Sequence, residues 1–131
     1  MFTGYFAKLK EYEESGLVPV SIAAKTPDWY KGLEYKKLAP KWEFFNEWKN
    51  GSHKGDDGYY IQCYTEEVLS QLAGADVIRE LKELAGVDTD RIILLCYEKP
   101  ADFCHRHIVA DWLNVYRDLE RDPYLGHVSE F

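Results

Sequence analysis

The chain has 131 residues, of which 16 are basic and 23 acidic, giving a formal net charge of −7. This length favours one domain, so we expect a single domain over residues 1–131 with an ordinary hydrophobic core. A hydrophobic content of 46% and a charged content of 30% exclude a disordered chain. The acidic balance argues against a protein that coats nucleic acid, because such binding depends on neutralising phosphates.

The longest wholly apolar run, Ile92 to Cys96, is far too short to span a membrane. The N-terminus also lacks the layout of a signal peptide. We therefore expect a cytoplasmic protein with no membrane partner. In a reducing cytoplasm Cys63, Cys96 and Cys104 are expected as free thiols, without a disulfide framework.

Hydrophobic patterning predicts strands that alternate with helices, which favours an α/β layered domain with a mostly parallel sheet flanked by helices. The predicted strands are Phe2–Phe6, Leu17–Ala23, Tyr59–Tyr64 and Arg91–Tyr97. The predicted helices are Ala7–Glu14, Lys41–Asn50, Thr65–Leu72, a segment capped by Asp76 and ended by Gly86, and the amphipathic Phe103–Leu119. Thr26–Pro40 and Asn50–Gly58 are predicted loops.

The segment from Leu94 to His107, LLCYEKPADFCHRH, is the most informative part of the chain. It predicts a buried strand, a short loop and a helix that begins near Asp102, the expected N-cap. Ligands of open α/β sheets bind at the carboxyl ends of strands, and a helix N-terminus favours an anion. At about 100° per residue, Cys104, His105 and Arg106 can reach one cleft, whereas His107 points outward.

Three interpretations of this cluster stay open. In the first, Cys104 is a nucleophile, His105 orients it, and Arg106 grips a phosphate or carboxylate. In the second, the cluster binds a phosphorylated ligand without a covalent step. In the third, Cys96, Cys104, His105 and His107 hold a metal, although their spacing matches no standard zinc pattern. The alternative without function is that the cysteines fill the core and His105 bonds a buried carbonyl.

A basic and aromatic segment precedes this region. Lys25 and Ser21 bracket the end of the second predicted strand and would face the cleft if that strand neighbours Arg91–Tyr97. Trp29 and Tyr30 lie in a loop punctuated by proline and glycine, where they could form a lid or stack on a base. Trp42, Phe45 and Trp48 have helical spacing and are expected in the core.

The run from Leu94 to Pro100, with Cys104-His-Arg106 after it, resembles the signature of the "domain of unknown function 488" family. Pro19–Pro27 and Leu38–Trp42 resemble a branch of that family, and the resemblance covers about residues 2–113. The first strand departs from the family's pattern. The resemblance implies a compact α/β domain with a site around Cys96, Cys104, His105 and Arg106, and no settled activity.

We therefore expect a protein that binds, or acts on, a small phosphorylated or nucleotide-like anion. Cys104, His105 and Arg106 are the candidate catalytic residues. Cys96, Ser21, Lys25 and Trp29 are the candidate ligand-binding residues. No cofactor is expected. The alternatives are a nucleic-acid-binding or nucleic-acid-processing accessory protein, which the net charge disfavours, and a metal-binding protein.

Overall fold

Five parallel strands form one sheet in the computed structural model, which describes residues 1–97, 102–120 and 125–131. The strands are β1 (Phe2–Tyr5), β2 (Val18–Ser21), β3 (Leu33–Glu34), β4 (Ile92–Cys96) and β5 (Ser129–Glu130). Their order across the sheet is β3-β2-β4-β1-β5, and every strand pair runs parallel. The α/β fold with a parallel sheet is thus confirmed, and β2 is the direct neighbour of β4.

Helices cover both faces of this sheet, as a parallel sheet requires. The α-helices of the described residues are α1 (Leu9–Glu14), α2 (Trp42–Asn50), α3 (Asp57–Glu67), α4 (Gly74–Ala85) and α5 (His105–Glu120). Single 3₁₀ turns occupy Phe6–Lys8, Lys36–Leu38, Leu69–Gln71 and Thr89–Arg91.

β4 divides the core because neighbouring side chains of a strand point to opposite faces. Ile92 and Leu94 belong to the larger core cluster, with buried residues of α2, α3, α4 and α5. Ile93 and Leu95 belong to the smaller cluster, which contains Tyr12 of α1. All five residues of β4 are buried, as expected for the middle strand of the sheet.

The predicted strand Tyr59–Tyr64 is wrong, because these residues lie within α3. Tyrosine and isoleucine favour strands in general, but two local features decide for a helix. The Asp56 carboxylate accepts a hydrogen bond from the Tyr59 N–H at 3.0 Å and caps the helix. Tyr60 and Tyr64 lie four residues apart, on the buried face.

Smaller corrections concern the edges of other elements. The predicted loop Thr26–Pro40 contains β3 and a 3₁₀ turn. Asp76 is in the first turn of α4 and pairs with Arg79, while the N-cap position belongs to Ala73. Gly86 ends α4 with a left-handed φ of 70°, as predicted. Leu119 is 76% exposed rather than on the apolar face of α5.

The structure describes only part of the connection from β4 to α5, since residues 98–101 of the predicted loop lie outside the described residues. α5 begins at His105, so its N-cap position belongs to Cys104 and not to Asp102. Among the described residues, none of the helices has the length and apolar character needed to cross a bilayer.

Candidate functional site

A cleft of about 580 Å³ opens at the carboxyl ends of β2 and β4. Parallel strands of an open sheet place ligands at this edge. Cys96, the last residue of β4, and His105, the first residue of α5, contribute to the lining. The other lining residues among those described are Ala23, Ala24, Lys25, Pro40, Trp42, Phe45, Lys49 and Tyr97.

One side of the cleft is a stripe along α2. Trp42, Phe45 and Lys49 are spaced i, i+3 and i+7, which places them on one side of a helix. The expectation that Trp42 belongs to the core is wrong, because its side chain is 66% exposed. Phe44 is the fully buried aromatic residue of this helix. The sequence analysis does not predict Trp42 or Lys49 as cleft residues, although their i, i+7 spacing places them on the same side of a helix.

Cys96 and Cys104 face each other and are joined by a disulfide bond. The expectation of free thiols is therefore wrong for this pair and holds for Cys63, which is free. The Cα atoms of the pair are 7.3 Å apart. Cys96 lines the main cleft, whereas Cys104 lines only a small adjoining crevice, together with the aromatic rings of Phe45 and Phe103.

His105 is buried and held in one tautomer. Its Nε2 atom lies 2.7 Å from the carbonyl oxygen of Ile22, so Nε2 carries the ring hydrogen and donates a hydrogen bond to that oxygen. Nδ1 then has a free lone pair, and it lies 3.7 Å from the Sγ atom of Cys104. Burial lowers the pKa of His105 to about 4, despite the bond to Ile22, so the ring is neutral at pH 7.

Arg106 turns away from the cleft and is fully buried. Its Nη2 atom donates to Oε1 of Glu130 at 2.9 Å, and its Nε atom donates to Oε2 at 3.3 Å. Nη1 donates to the Sγ atom of Cys96 at 3.2 Å. Thr3 also donates to the Glu130 carboxylate at 2.6 Å. The expectation that Arg106 reaches the cleft beside Cys104 and His105 is wrong, because its side chain is fully buried and is absent from the cleft lining.

The remaining predicted residues divide into those inside and outside the cleft. Lys25 lines it. Ser21 is buried at the end of β2, where its hydroxyl accepts a bond from the Ala23 N–H at 3.2 Å. Trp29 is 57% exposed, and its ring packs edge-on against Phe6 outside the cleft lining. His107 does not point into solvent as expected, since its Nε2 atom is buried and has no hydrogen-bond partner among the described groups.

Tyr30, predicted to share a lid with Trp29, belongs to the core instead. It is 6% exposed, and its hydroxyl donates to the carbonyl of Leu33 at 2.6 Å. Of Trp29 and Tyr30, only Trp29 presents a ring to solvent.

Comparison with known proteins identifies the family. Residues 15–117 match the family model DUF488-N3a, described as "Active DUF488-N3 subclade". The match covers β2 to β4, the cleft and most of α5, while β1 and β5 lie outside it. No curated protein and no solved structure gives a significant match. Because the matched residues make up most of the chain and include the entire described cleft, the chain belongs to the DUF488 family.

Proposed function

We propose that the cleft binds a small anionic ligand with a flat ring, such as a nucleotide. The observation that carries this proposal is the composition of the lining. Lys25 and Lys49 are positively charged residues of the lining, and no carboxylate occurs among its described residues. This local excess of positive charge contrasts with the chain's net charge of −7 and favours an anion.

The aromatic lining supports the second part of the proposal. Trp42 is 66% exposed and Tyr97 is 48% exposed, so both present ring surface to a ligand. Flat rings stack on such side chains, and both lysines line the same cleft as these rings. Ligand pockets usually have volumes of about 300–1,000 Å³. The cleft, at about 580 Å³, suits a mononucleotide.

A covalent step at this site would depend on reduction of the disulfide. The sequence predicts Cys104 as the nucleophile, but the contacts favour Cys96. Cys96 lines the cleft, and the Arg106 guanidinium donates a hydrogen bond to its sulfur. A nearby positive charge stabilises a thiolate. Alkylation of the reduced, metal-free protein followed by peptide mapping tests this second proposal, and faster labelling of Cys104 than of Cys96 would reject it.

The binding proposal is tested by titrating the protein with AMP, adenosine and inorganic phosphate, using calorimetry at low salt. We expect AMP to bind most tightly, because only AMP offers both a ring and a phosphate. Replacing both Lys25 and Lys49 by alanine should weaken AMP binding by about 10-fold, since each exposed charge contributes roughly 0.5–1 kcal/mol. Lys10→Ala, on exposed α1, is the matched control and should leave the affinity unchanged.

Two outcomes would contradict the proposal. In the first, AMP binds no better than phosphate, or equally well to the double lysine variant. In the second, a single-stranded oligonucleotide binds far more tightly than AMP, and Trp29→Ala weakens that binding. The second outcome would favour the nucleic-acid-binding alternative, because Trp29 is exposed outside the cleft lining.

A further inference from the structure

Three potential metal ligands meet beside the cleft, two of them in its lining. The Sγ atoms of Cys96 and Cys104 and a ring nitrogen of His105 lie within 4.8 Å of one another, and all three residues are buried. We call them the Cys-Cys-His cluster. Two thiolates and one imidazole form a donor set that zinc prefers. This proposal concerns the protein's own side chains and does not rest on the identity of the cleft ligand.

The hydrogen bonds of His105 prepare it as a ligand. Its Nε2–H donates to the Ile22 carbonyl, which fixes the ring orientation and leaves the Nδ1 lone pair directed toward Cys104. Histidines that bind metals almost always donate their other ring N–H to a carbonyl or carboxylate.

The backbone spacing of the cysteines also suits a shared metal ion. Their Cα atoms are 7.3 Å apart, beyond the range of about 4.4–6.8 Å that is usual for bridged cysteines. Two thiolates on a tetrahedral zinc ion, each about 2.3 Å from it, are roughly 3.8 Å apart. Reduction of the bond would therefore let the sulfurs separate toward a distance that zinc can bridge.

The charges around the cluster balance with zinc present. Two thiolates neutralise the double charge of the ion, and the nearby guanidinium of Arg106 is already paired with Glu130. Arg106 also donates to the Cys96 sulfur at 3.2 Å, the kind of outer hydrogen bond that orients metal ligands. Among the described residues, the two thiolates therefore balance the charge of the ion, and Arg106 keeps its ion pair with Glu130.

We propose that the reduced protein binds one zinc ion through Cys96, Cys104 and Nδ1 of His105, with a fourth coordination position facing the cleft. Cys96 and His105 line the cleft, so an ion between them is open to a ligand there. Three protein ligands with an open position are typical of catalytic rather than structural zinc. A phosphine reductant gives two electrons to the disulfide and becomes the phosphine oxide, while water supplies that oxygen and the two protons of the new thiols. Zinc binding then releases both thiol protons to solvent.

The test uses the full chain, purified without a metal-binding tag, reduced with a phosphine and freed of excess reductant. Cobalt(II) added without oxygen should produce sulfur-to-metal charge-transfer absorption and intense visible bands that saturate at one equivalent, and zinc should abolish both. Cys96→Ser and Cys104→Ser should lose the charge-transfer band. Cys63→Ser is the matched control and should keep it, because Cys63 is a free cysteine of α3 outside the cluster.

A second measurement uses the wild-type chain alone, in case a serine variant fails to fold. Zinc should protect Cys96 and Cys104 of the reduced protein from alkylation, while Cys63 is still labelled, as mass spectrometry of the peptides would show. The proposal is overturned if the reduced protein, with three titratable thiols, gives no charge-transfer band with cobalt. Equal labelling of all three cysteines with and without zinc would also overturn it.

Discussion

The ion pair between Arg106 and Glu130 gives the sharpest stability prediction. We consider Glu130→Gln, which removes the negative charge while keeping the shape of the side chain. Arg106 has no exposed surface and Glu130 is 25% exposed, with two nitrogen–oxygen contacts at 2.9 and 3.3 Å. Removing one partner of a buried pair costs about 3–5 kcal/mol, because the other charge stays buried and loses its ion pair; Arg106 keeps its further contacts.

The partial exposure of Glu130 and the remaining bond from Arg106 to the Cys96 sulfur reduce this cost. We expect Glu130→Gln to lower the free energy of unfolding by about 2–3 kcal/mol. For a chain of this size that corresponds to a fall in Tm of roughly 10 °C. Urea unfolding at pH 7, followed by circular dichroism and tryptophan fluorescence, measures the difference.

Three variants complete this experiment: Glu14→Gln, Arg106→Met, and Arg106→Met combined with Glu130→Gln. Glu14→Gln removes an exposed carboxylate of α1 and should change stability by less than about 0.5 kcal/mol. Arg106→Met combined with Glu130→Gln should be less destabilised than the sum of the single changes, by at least about 1 kcal/mol. If Glu130→Gln matches Glu14→Gln, the pair does not stabilise the fold and the reasoning is refuted.

Two further predictions concern backbone packing and pH. Gly4→Ala should destabilise the fold by about 1–3 kcal/mol, because a Cβ atom there would lie 2.5 Å from the Tyr12 hydroxyl. Gly126→Ala is the control, since a Cβ atom at that position meets no atom within 4 Å. Equal unfolding midpoints for the two variants would contradict this prediction. Burial lowers the pKa of His105 to about 4 in the folded protein, against about 6.5 in the unfolded chain. With the disulfide intact, stability is therefore full above pH 6.5 and falls as the pH drops toward 4, with a loss of about 2 kcal/mol between pH 7 and pH 5. Urea unfolding at the two pH values measures this loss, and a His105→Asn variant that loses as much would assign it to other groups.

The strand-to-helix region could be predicted because its pattern is local. The apolar run of β4 and the amphipathic repeat of α5 need no tertiary information, and together they place Cys96 and His105 at the carboxyl edge of the sheet. Helical angles alone could not place Arg106. Its direction depends on Glu130, which reaches the same place only because β5 pairs with β1.

A different physical reason explains why the predicted strand Tyr59–Tyr64 is part of a helix. Its composition favours a strand, while its cap and its buried i, i+4 tyrosines favour a helix, and the packing of the neighbouring α2 decides between them. The Phe44 ring lies edge-on against Tyr60 at 5.3 Å. Trp42 differs from its prediction for another reason. Its hydrophobic side chain favours burial, but α2 packs only one side against the core, and Trp42 lies outside that side.

Synthesis on the ribosome proceeds from the N-terminus, which gives the late position of β5 a consequence. When α5 has been synthesised, β1 through β4 already precede it in the chain, and Glu130 follows its last residue by ten positions. Until β5 is made, the contact between Arg106 and Glu130 is absent and one edge of β1 lacks its neighbour β5. The sheet therefore gains its β5 edge only after the other four strands have been synthesised.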